Sequence, residues 1–291
     1  MRIGVVFPNT EIGDDPDGIR TYVEVVEAAG ATHLLTYEHV LGADTTNRPD
    51  WPGPYTHLHP FHEPFVLFGF LAGFSTLDLW TGVLVLPQRQ TALVAKQAAE
   101  VDVLSGGRLT LGVGIGWNPV EYEALGTDFT TRGRRIEEQV EVLRRLWTEP
   151  VVDINGRDHV IPEAGILPMP VQRPIPIWFG TSDEPRALRR AGRLADGWIP
   201  LMPPGPVLDA AFVGLRAAAE GAGRDPDAIG LHGRVAVGDA DLARATDHAG
   251  RWAAAGATHL SVNTLNAGLA GAEQHADAAV RALSALSASR T

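Results

Sequence analysis

Eight short apolar runs alternate with eight helix-like patterns along the 291 residues, and this alternation constrains the fold more than any other feature. Strands that alternate with helices indicate parallel strands joined by crossover helices. The strand-like runs are Arg2–Val6, His33–Tyr37, Trp80–Leu86, Arg108–Val113, Ile175–Phe179, Gly197–Leu201, Ile229–Val237 and His259–Val262. The helical patterns are Asp17–Ala29, Pro64–Phe74, Ala92–Leu104, Arg132–Trp147, Glu184–Leu194, Val207–Ala222, Ala240–Ala255 and Ala272–Leu286.

Eight βα units in about 250 residues match an α/β fold of the (β/α)8 TIM barrel type. We therefore predict one barrel domain over residues 1–291. A doubly wound sheet is the alternative, but it would place a glycine-rich turn after the first strand, and here that strand runs into Phe7-Pro8-Asn9.

A short internal repeat supports repeated units. The heptapeptide AAGATHL occurs at Ala28–Leu34 and again at Ala254–Leu260. Each copy reads as a helix end with a glycine cap, followed by a strand. This places His33 and His259 at strand starts, which is the structural face of a barrel, so neither is a catalytic candidate.

Two segments interrupt the alternation. Gly42–Glu63 follows the second strand and is rich in proline, histidine and aromatic residues; a loop of this length in a compact domain is usually functional, and we predict a lid. Pro150–Pro176 contains Asn155-Gly156, a hairpin signal, and predicts a hairpin insertion.

Composition excludes several functional classes. A net charge of −11 argues against a nucleic-acid binder, and the absence of cysteine excludes disulfides and thiolate chemistry. No apolar run approaches the roughly 18 residues of a membrane span. The start, MRIGVVFPNT, lacks the pattern of a signal peptide. We expect a cytoplasmic protein that acts on a small molecule.

The stretch SGGRLTLGVGIGW, Ser105–Trp117, resembles a nucleotide-binding loop only superficially. Its glycines alternate, whereas the dinucleotide fingerprint requires Gly-x-Gly-x-x-Gly. Asn118-Pro119 then predicts a helix start, and backbone N–H groups before a helix form an anion site. The alternative is that these glycines only relieve crowding between barrel and helix.

A second strand-to-helix junction, Gly180-Thr181-Ser182, suggests another anion site because phosphate sites recur late in barrels near a helix start. Ordinary capping of the next helix by Ser182 or Asp183 is the alternative.

Glu38-His39 stands at the end of the second predicted strand, where barrel enzymes carry active residues. Imidazole is the side chain best suited to proton exchange near neutral pH, and the adjacent carboxylate could orient it. The alternative is a histidine that only closes the strand–loop junction. The nearby HLHPFHE, His57–Glu63, suggests a metal site, but its spacing is not that of a helical histidine pair, and we predict no metal.

These motifs together resemble the luciferase-like flavin and deazaflavin oxidoreductase superfamily, and most closely its branch that uses coenzyme F420. The block at 81–126 carries the resemblance in VLVLPQRQTALVAKQAAEVDVLSGGRLTLGVGIGWNPVEYEALG. It continues in RGRRIEEQVEVLRRLWTEP and PVQRPIPIWFGTSDEPRALRRAGRLADGWIPL, and in the early FPN and YEHV. Relatives more often have Asp-His where this chain has Glu38-His39.

The resemblance implies a hydride-transferring oxidoreductase with coenzyme F420, or FMN as the alternative, and a small organic substrate. It also implies a homodimer, a bulge with a cis peptide between Gly82 and Val83, and His39 as the proton-exchanging residue, oriented by Glu38. The implied cofactor contacts are Gly82, Val83, Gly114, Ile115, Gly116, Trp117, Asn118, Gly180, Thr181, Ser182 and Ile199. An FMN-dependent monooxygenase and a non-catalytic cofactor-binding protein remain alternatives.

Overall fold

Parallel strands close into a barrel, which confirms the (β/α)8 prediction and excludes the open sheet. The computed structural model describes residues 1–238 and 242–288. The strands within these residues are β1 Arg2–Val6, β2 His33–Thr36, β3 Asp78–Thr81, β4 Leu84–Val85, β5 Leu109–Gly114, β6 Val152–Asn155, β7 Val160–Ala164, β8 Ile177–Thr181, β9 Gly197–Pro200, β10 Gly230–Ala236 and β11 His259–Asn263.

The helices lie outside this barrel, and most of them bury apolar residues in the core, as crossover helices must. Their bounds are α1 Pro16–Ala28, α2 Pro64–Ala72, α3 Thr91–Ser105, α4 Pro119–Ala124, α5 Arg132–Thr148, α6 Pro185–Leu194, α7 Pro206–Gly221, α8 Leu242–Ala254 and α9 Gly271–Ala288. Residues 240 and 241, which we assigned to the seventh helical pattern, lie outside the described residues. No helix in the described ranges is long and apolar enough to cross a membrane.

The third barrel strand is interrupted between β3 and β4. Both parts pair with β5, and the β3–β5 pairing also completes the ring that runs through β2, β1, β11, β10, β9 and β8. The predicted cis peptide between Gly82 and Val83 lies at this interruption. The predicted hairpin insertion is also present, since β6 and β7 pair antiparallel around residues 156–159.

The two copies of AAGATHL have the same local structure. Gly30 and Gly256 both have a left-handed φ, +89° and +86°, at the ends of α1 and α8. In each copy the threonine Oγ1 contacts the ring of the following histidine. The repeat therefore specifies one geometry twice, at the start of β2 and at the start of β11.

The N-terminal half of the barrel interior is filled by rings. His33 and His232 are fully buried, and each Nε2 contacts Ser261 Oγ, at 2.9 and 2.8 Å. Trp80 and Trp178 pack against each other and against these rings. This filling closes the barrel at the strand starts, so ligand space lies at the strand ends.

Candidate active site

A cavity of about 650 Å³ opens at the C-terminal ends of the barrel strands. Its walls come from the residues after β2, from the C-terminal ends of β5, β8, β9, β10 and β11 with some of the residues that follow them, and from the interruption in the third strand. All the predicted site residues except Asn118 line it, namely Glu38, His39, Gly82, Val83, Gly114, Ile115, Gly116, Trp117, Gly180, Thr181, Ser182 and Ile199.

Val83 occupies the space that two glycines leave free. A Cβ added at Gly114 would lie 2.5 Å from Val83 Cγ2, and one added at Gly180 would lie 2.5 Å from Val83 Cγ1. An added Cβ at either position would therefore displace the Val83 side chain. The close contact is with the third barrel strand, so it differs from the crowding between barrel and helix that was the alternative for Gly114. It places a branched apolar side chain on the cavity wall.

The two predicted anion sites at helix starts have their own caps. Asn118 is the N-cap of α4, as predicted, and its Oδ1 accepts from the N–H groups of Val120 and Glu121. At α6 the cap is Glu184, which accepts from the Ala187 N–H, so the expectation of a cap at Ser182 or Asp183 is wrong. A carboxylate at this N-terminus already satisfies the helix dipole, which argues against an anion bound by free N–H groups there.

Positive charge at this side of the cavity comes instead from α6. Arg186 and Arg190, one turn apart, both line the cavity. Arg190 also pairs with Glu137 of α5, with Nε 3.1 Å from Oε1. Guanidinium groups bind phosphate and carboxylate oxygens through paired N–H donors, so this rim suits an anionic ligand tail.

His39 lies inside a group of aromatic rings. The centroids of Tyr55, Phe61 and Trp117 are 5.1 to 5.4 Å from that of His39. Its Nδ1 lies 3.0 Å from Oε2 of Glu121, a buried carboxylate on α4. A carboxylate accepts, so this contact places the ring proton on Nδ1 and leaves Nε2 for a ligand.

Both carboxylate oxygens of Glu121 are hydrogen-bonded. Its second oxygen, Oε1, accepts from the backbone N–H groups of Val40 and Leu41. These residues directly follow His39, so one carboxylate holds both the imidazole and the chain that carries it.

The predicted pairing of Glu38 with His39 is wrong. Glu38 is buried and accepts from Arg89 Nε at 2.8 Å and from the Val85 N–H at 2.9 Å. Burial raises the pKa of Glu38, and the Arg89 guanidinium opposes that rise. Both residues lie in the loop after β2, where Glu38 reaches the third strand and His39 reaches α4.

Segment 42–63, the predicted lid, has no helix or strand, and its Tyr55 and Phe61 pack against the His39 ring. Trp51 packs edge-on against Trp117 with centroids 5.5 Å apart, and an added Cβ at Gly53 would overlap the Trp117 ring. A second cavity of about 310 Å³ lies beneath the segment, bounded by His39, Tyr55, Phe61, His57 and His59 among others.

The histidines of this segment bind separate partners rather than a common centre. His57 Nδ1 contacts the Ala43 carbonyl, His59 Nδ1 accepts from the Thr56 N–H, and His62 Nε2 contacts the Gly13 carbonyl. Across residues 1–238 and 242–288, no three histidine, aspartate or glutamate side chains are grouped as a metal site would need.

A model of the luciferase-like monooxygenase family matches residues 1–289. The chain belongs to this family. An uncharacterized protein of Mycobacterium tuberculosis strain H37Rv is 40% identical over 182 residues, which are 60% of this chain and 62% of that protein. The chain thus matches under two thirds of the length of that relative.

Two solved structures with different cofactors share the fold of this luciferase-like chain. An F420-dependent secondary alcohol dehydrogenase in complex with an F420–acetone adduct has a TM-score of 0.78 at 16% identity, covering 98% of each chain. The oxygenating constituent of 3,6-diketocamphane monooxygenase from Pseudomonas putida, in complex with FMN, has a TM-score of 0.72 at 14% identity, covering 99% of this chain and 97% of that one. Identities this low show the fold alone.

Several residues in and beside this cavity were not predicted from the sequence. Glu121 is 82 positions from His39, and only its place one turn into a capped helix after a strand end could have suggested it. Arg186 and Arg190 lie in the predicted helix Glu184–Leu194, in the first turns after a strand end, but were not among the predicted site residues. Tyr37, Arg234 and Asn263 also line the cavity without a local motif.

Proposed function

We propose that this luciferase-like protein is an F420-dependent oxidoreductase that transfers a hydride between the deazaflavin and a small organic substrate. The observation that carries the proposal is the cavity at the strand ends, which has an apolar wall, a cationic rim and an oriented imidazole in one space. F420 rather than FMN is proposed because the block at 81–126 resembles the F420 branch. Solved structures of this fold hold F420 or FMN, so the choice rests on that resemblance.

The residues of the cavity fit a flavin-type cofactor. Its volume of about 650 Å³ lies in the range of roughly 300–1,000 Å³ that small-ligand sites occupy. Val83, Ile199 and Leu265 offer apolar contact to a tricyclic ring, while Ser182, Arg186 and Arg190 offer donors to a phosphorylated tail. Among the described residues, the two glutamates that line the cavity already have partners, because Glu38 pairs with Arg89 and Glu184 caps α6.

The protein's own groups position the reactants and move the proton. When bound, the cofactor supplies a ring position that gives or accepts a hydride. His39 Nε2 exchanges a proton with the oxygen of an alcohol or carbonyl substrate, and Glu121 holds the imidazole in one tautomer and one orientation. Segment 42–63 excludes water from this exchange through Tyr55, Phe61 and its contact with Trp117.

Side-by-side titrations test the cofactor assignment. Trp117 lines the cavity, so quenching of tryptophan fluorescence should report binding of F420 and of FMN to the same protein. We expect F420 to bind more tightly. Equal or tighter binding of FMN, together with oxygen consumption by the protein with reduced FMN, would favour the monooxygenase alternative. Tight binding without turnover over a broad substrate panel would favour a binding protein.

We also propose a homodimer, because α2 and α3 present apolar side chains to solvent. α2 is apolar on all sides, and Val66 is 72% exposed. Phe70 of the same helix and Leu93 and Leu104 of α3 are also exposed. Clustered exposed apolar groups of this kind are typical of protein interfaces.

A further inference from the structure

Arg234 is a cation of the cavity whose charge is not matched by a carboxylate. It lies on β10 and is partly buried, and its Nη2 donates to the Pro200 carbonyl at 2.8 Å. In the described parts of the chain, residues 1–238 and 242–288, no aspartate or glutamate pairs with it, whereas Arg89 and Arg190 of the same region have such partners. One backbone carbonyl uses only one of the five N–H donors of a guanidinium.

Hydrogen-bonding side chains surround Arg234. Tyr37 and Asn263 line the main cavity with it, and the same three residues border a neighbouring cavity of about 300 Å³ together with Arg244 and His248. No aspartate or glutamate of the described residues lines this smaller cavity. Asn263 Oδ1 accepts from the Leu265 N–H, which leaves its amide NH₂ as a donor. Burial raises the pKa of Tyr55, so its phenol stays protonated and is also a donor.

Arg234 and the proposed proton-exchanging residue line the same cavity. The ring centroid of Tyr55 is 5.3 Å from that of His39, and Tyr55, His39 and Arg234 all line the main cavity. Tyr37, two residues before His39 in the chain, also borders the smaller cavity together with Arg234. One ligand in the main cavity can therefore face both His39 and Arg234. Arg186 and Arg190 belong to another element, α6.

We propose that Arg234 is the anchor of an anionic substrate, so that the substrate class is small organic acids that carry an alcohol or carbonyl group besides a carboxylate or similar oxyanion. The proposal rests on the proposed function for the reacting group, but the anion site stands on its own geometry. The oxyanion accepts from Arg234, and the alcohol or carbonyl oxygen meets His39. A paired guanidinium–oxyanion contact gives orientation as well as affinity, which a hydride transfer needs.

The test compares anions with neutral compounds of the same shape. Acetate, benzoate and inorganic phosphate, with acetamide and benzamide as neutral partners, are titrated at constant ionic strength. Binding is followed by tryptophan fluorescence and by the shift in melting temperature, with and without bound F420. We expect at least one anion to bind about 10- to 100-fold more tightly than its neutral partner or, for phosphate, than either amide. Absence of any charge preference would overturn the proposal.

Three variants locate the effect. Arg234→Met should abolish the charge preference, and Arg234→Lys should retain part of it. Arg189→Met removes the same charge from an exposed position outside the main cavity and should leave the preference intact. Circular dichroism checks that each variant is folded. A preference that persists in Arg234→Met would overturn the assignment.

The same variants show whether Arg234 binds an oxyanion of the substrate or the phosphate of the cofactor. Arg234→Met should leave the Kd for F420 within about three-fold. If instead that Kd rises about 10- to 100-fold while anion binding is unchanged, Arg234 serves the cofactor phosphate and the proposal fails. If F420 does not bind the wild-type protein, the proposed function fails, whereas charge-selective binding by the cofactor-free protein still supports the anion site.

Discussion

At the scale of single residues, the cavity assigns two buried glutamates to different tasks. Glu38 joins Arg89 and the Val85 N–H, which binds the end of β2 to the third strand. Glu121 joins His39 and the two N–H groups that follow it. Glu121 accepts from three donors, one of them the His39 ring, and so restricts the orientation of that ring. The ion pair of Glu38 restricts only the position of the chain at the end of β2.

Glu121→Gln should therefore lower turnover through His39. The amide keeps the size of the side chain but removes the charge that favours a proton on Nδ1. We therefore expect kcat to fall about 10- to 100-fold. The Kd for F420 should stay within a few-fold of the wild-type value. His39→Ala should lower kcat by about 10²- to 10⁴-fold, the span for loss of a general acid or base. Rapid kinetics gives kcat and fluorescence gives the cofactor Kd.

Glu123→Gln is the matched control, because Glu123 lies on the same helix and is exposed. It should leave both constants unchanged. If His39→Ala weakened cofactor binding but left kcat intact at saturating cofactor, His39 would be an anchor for the ring. Normal values of both constants in His39→Ala would reduce His39 to closing the strand–loop junction.

At the scale of elements, segment 42–63 has no helix or strand, and Gly53 is one of its closest approaches to the barrel. Gly53→Ala should push the segment away from Trp117, because the added methyl would overlap that ring. We expect faster amide hydrogen exchange in 42–63 and a higher KM. The free energy of unfolding should change by less than about 0.5 kcal/mol, since the segment lies outside the core.

Gly250→Ala provides the comparison, because an added Cβ there meets no neighbouring atom and lies within α8. It should stabilise the protein by up to about 1 kcal/mol through helix propensity and leave exchange in 42–63 unchanged. Unchanged exchange and KM in Gly53→Ala would show that the segment does not depend on the contact with Trp117.

The elements were predictable from the sequence to the extent that their causes are local. Apolar periodicity gave the strands and helices, and Asn118-Pro119 and Glu63-Pro64 marked helix starts where the structure has N-caps. Contacts between distant positions left no local signal. Nothing near His39 indicates Glu121, and adjacency in sequence wrongly suggested Glu38. Asn118-Pro119 also indicated the cap of α4, whereas the cap of α6 is Glu184 instead of Ser182 or Asp183, because several neighbouring side chains there could cap the helix.

At the scale of the whole molecule, the apolar surface of α2 predicts self-association. Val66→Glu should shift the proposed dimer towards monomer at micromolar concentration, because a charge would be buried at the interface. Analytical ultracentrifugation measures the change. Val213→Glu, at a similarly exposed valine on α7, should not affect association. A monomeric wild-type protein would contradict the proposal.

The ring-filled barrel interior predicts acid sensitivity of the entire fold. Burial lowers the pKa of His33 and of His232 well below the ordinary value, and burial together with Arg2 lowers that of His259 to about 4. His248 and His275, whose pKa values burial also lowers, act in the same direction. In the unfolded chain these rings take up protons below about pH 6.5, whereas in the folded barrel they do not.

The unfolded state therefore binds more protons below pH 6.5, and stability must fall as the pH falls. Each fully buried ring contributes a loss that approaches about 1.4 kcal/mol per pH unit, so His33 and His232 together should remove about 3 kcal/mol between pH 7.5 and pH 5.5. Urea unfolding across this range measures the loss, and carboxylates titrate mostly below it. His232→Gln should reduce the loss by about 1.4 kcal/mol, and His62→Gln is the control for a histidine outside the barrel. A free energy of unfolding that stays constant down to pH 5.5 would mean that the buried rings take up protons without opening the barrel.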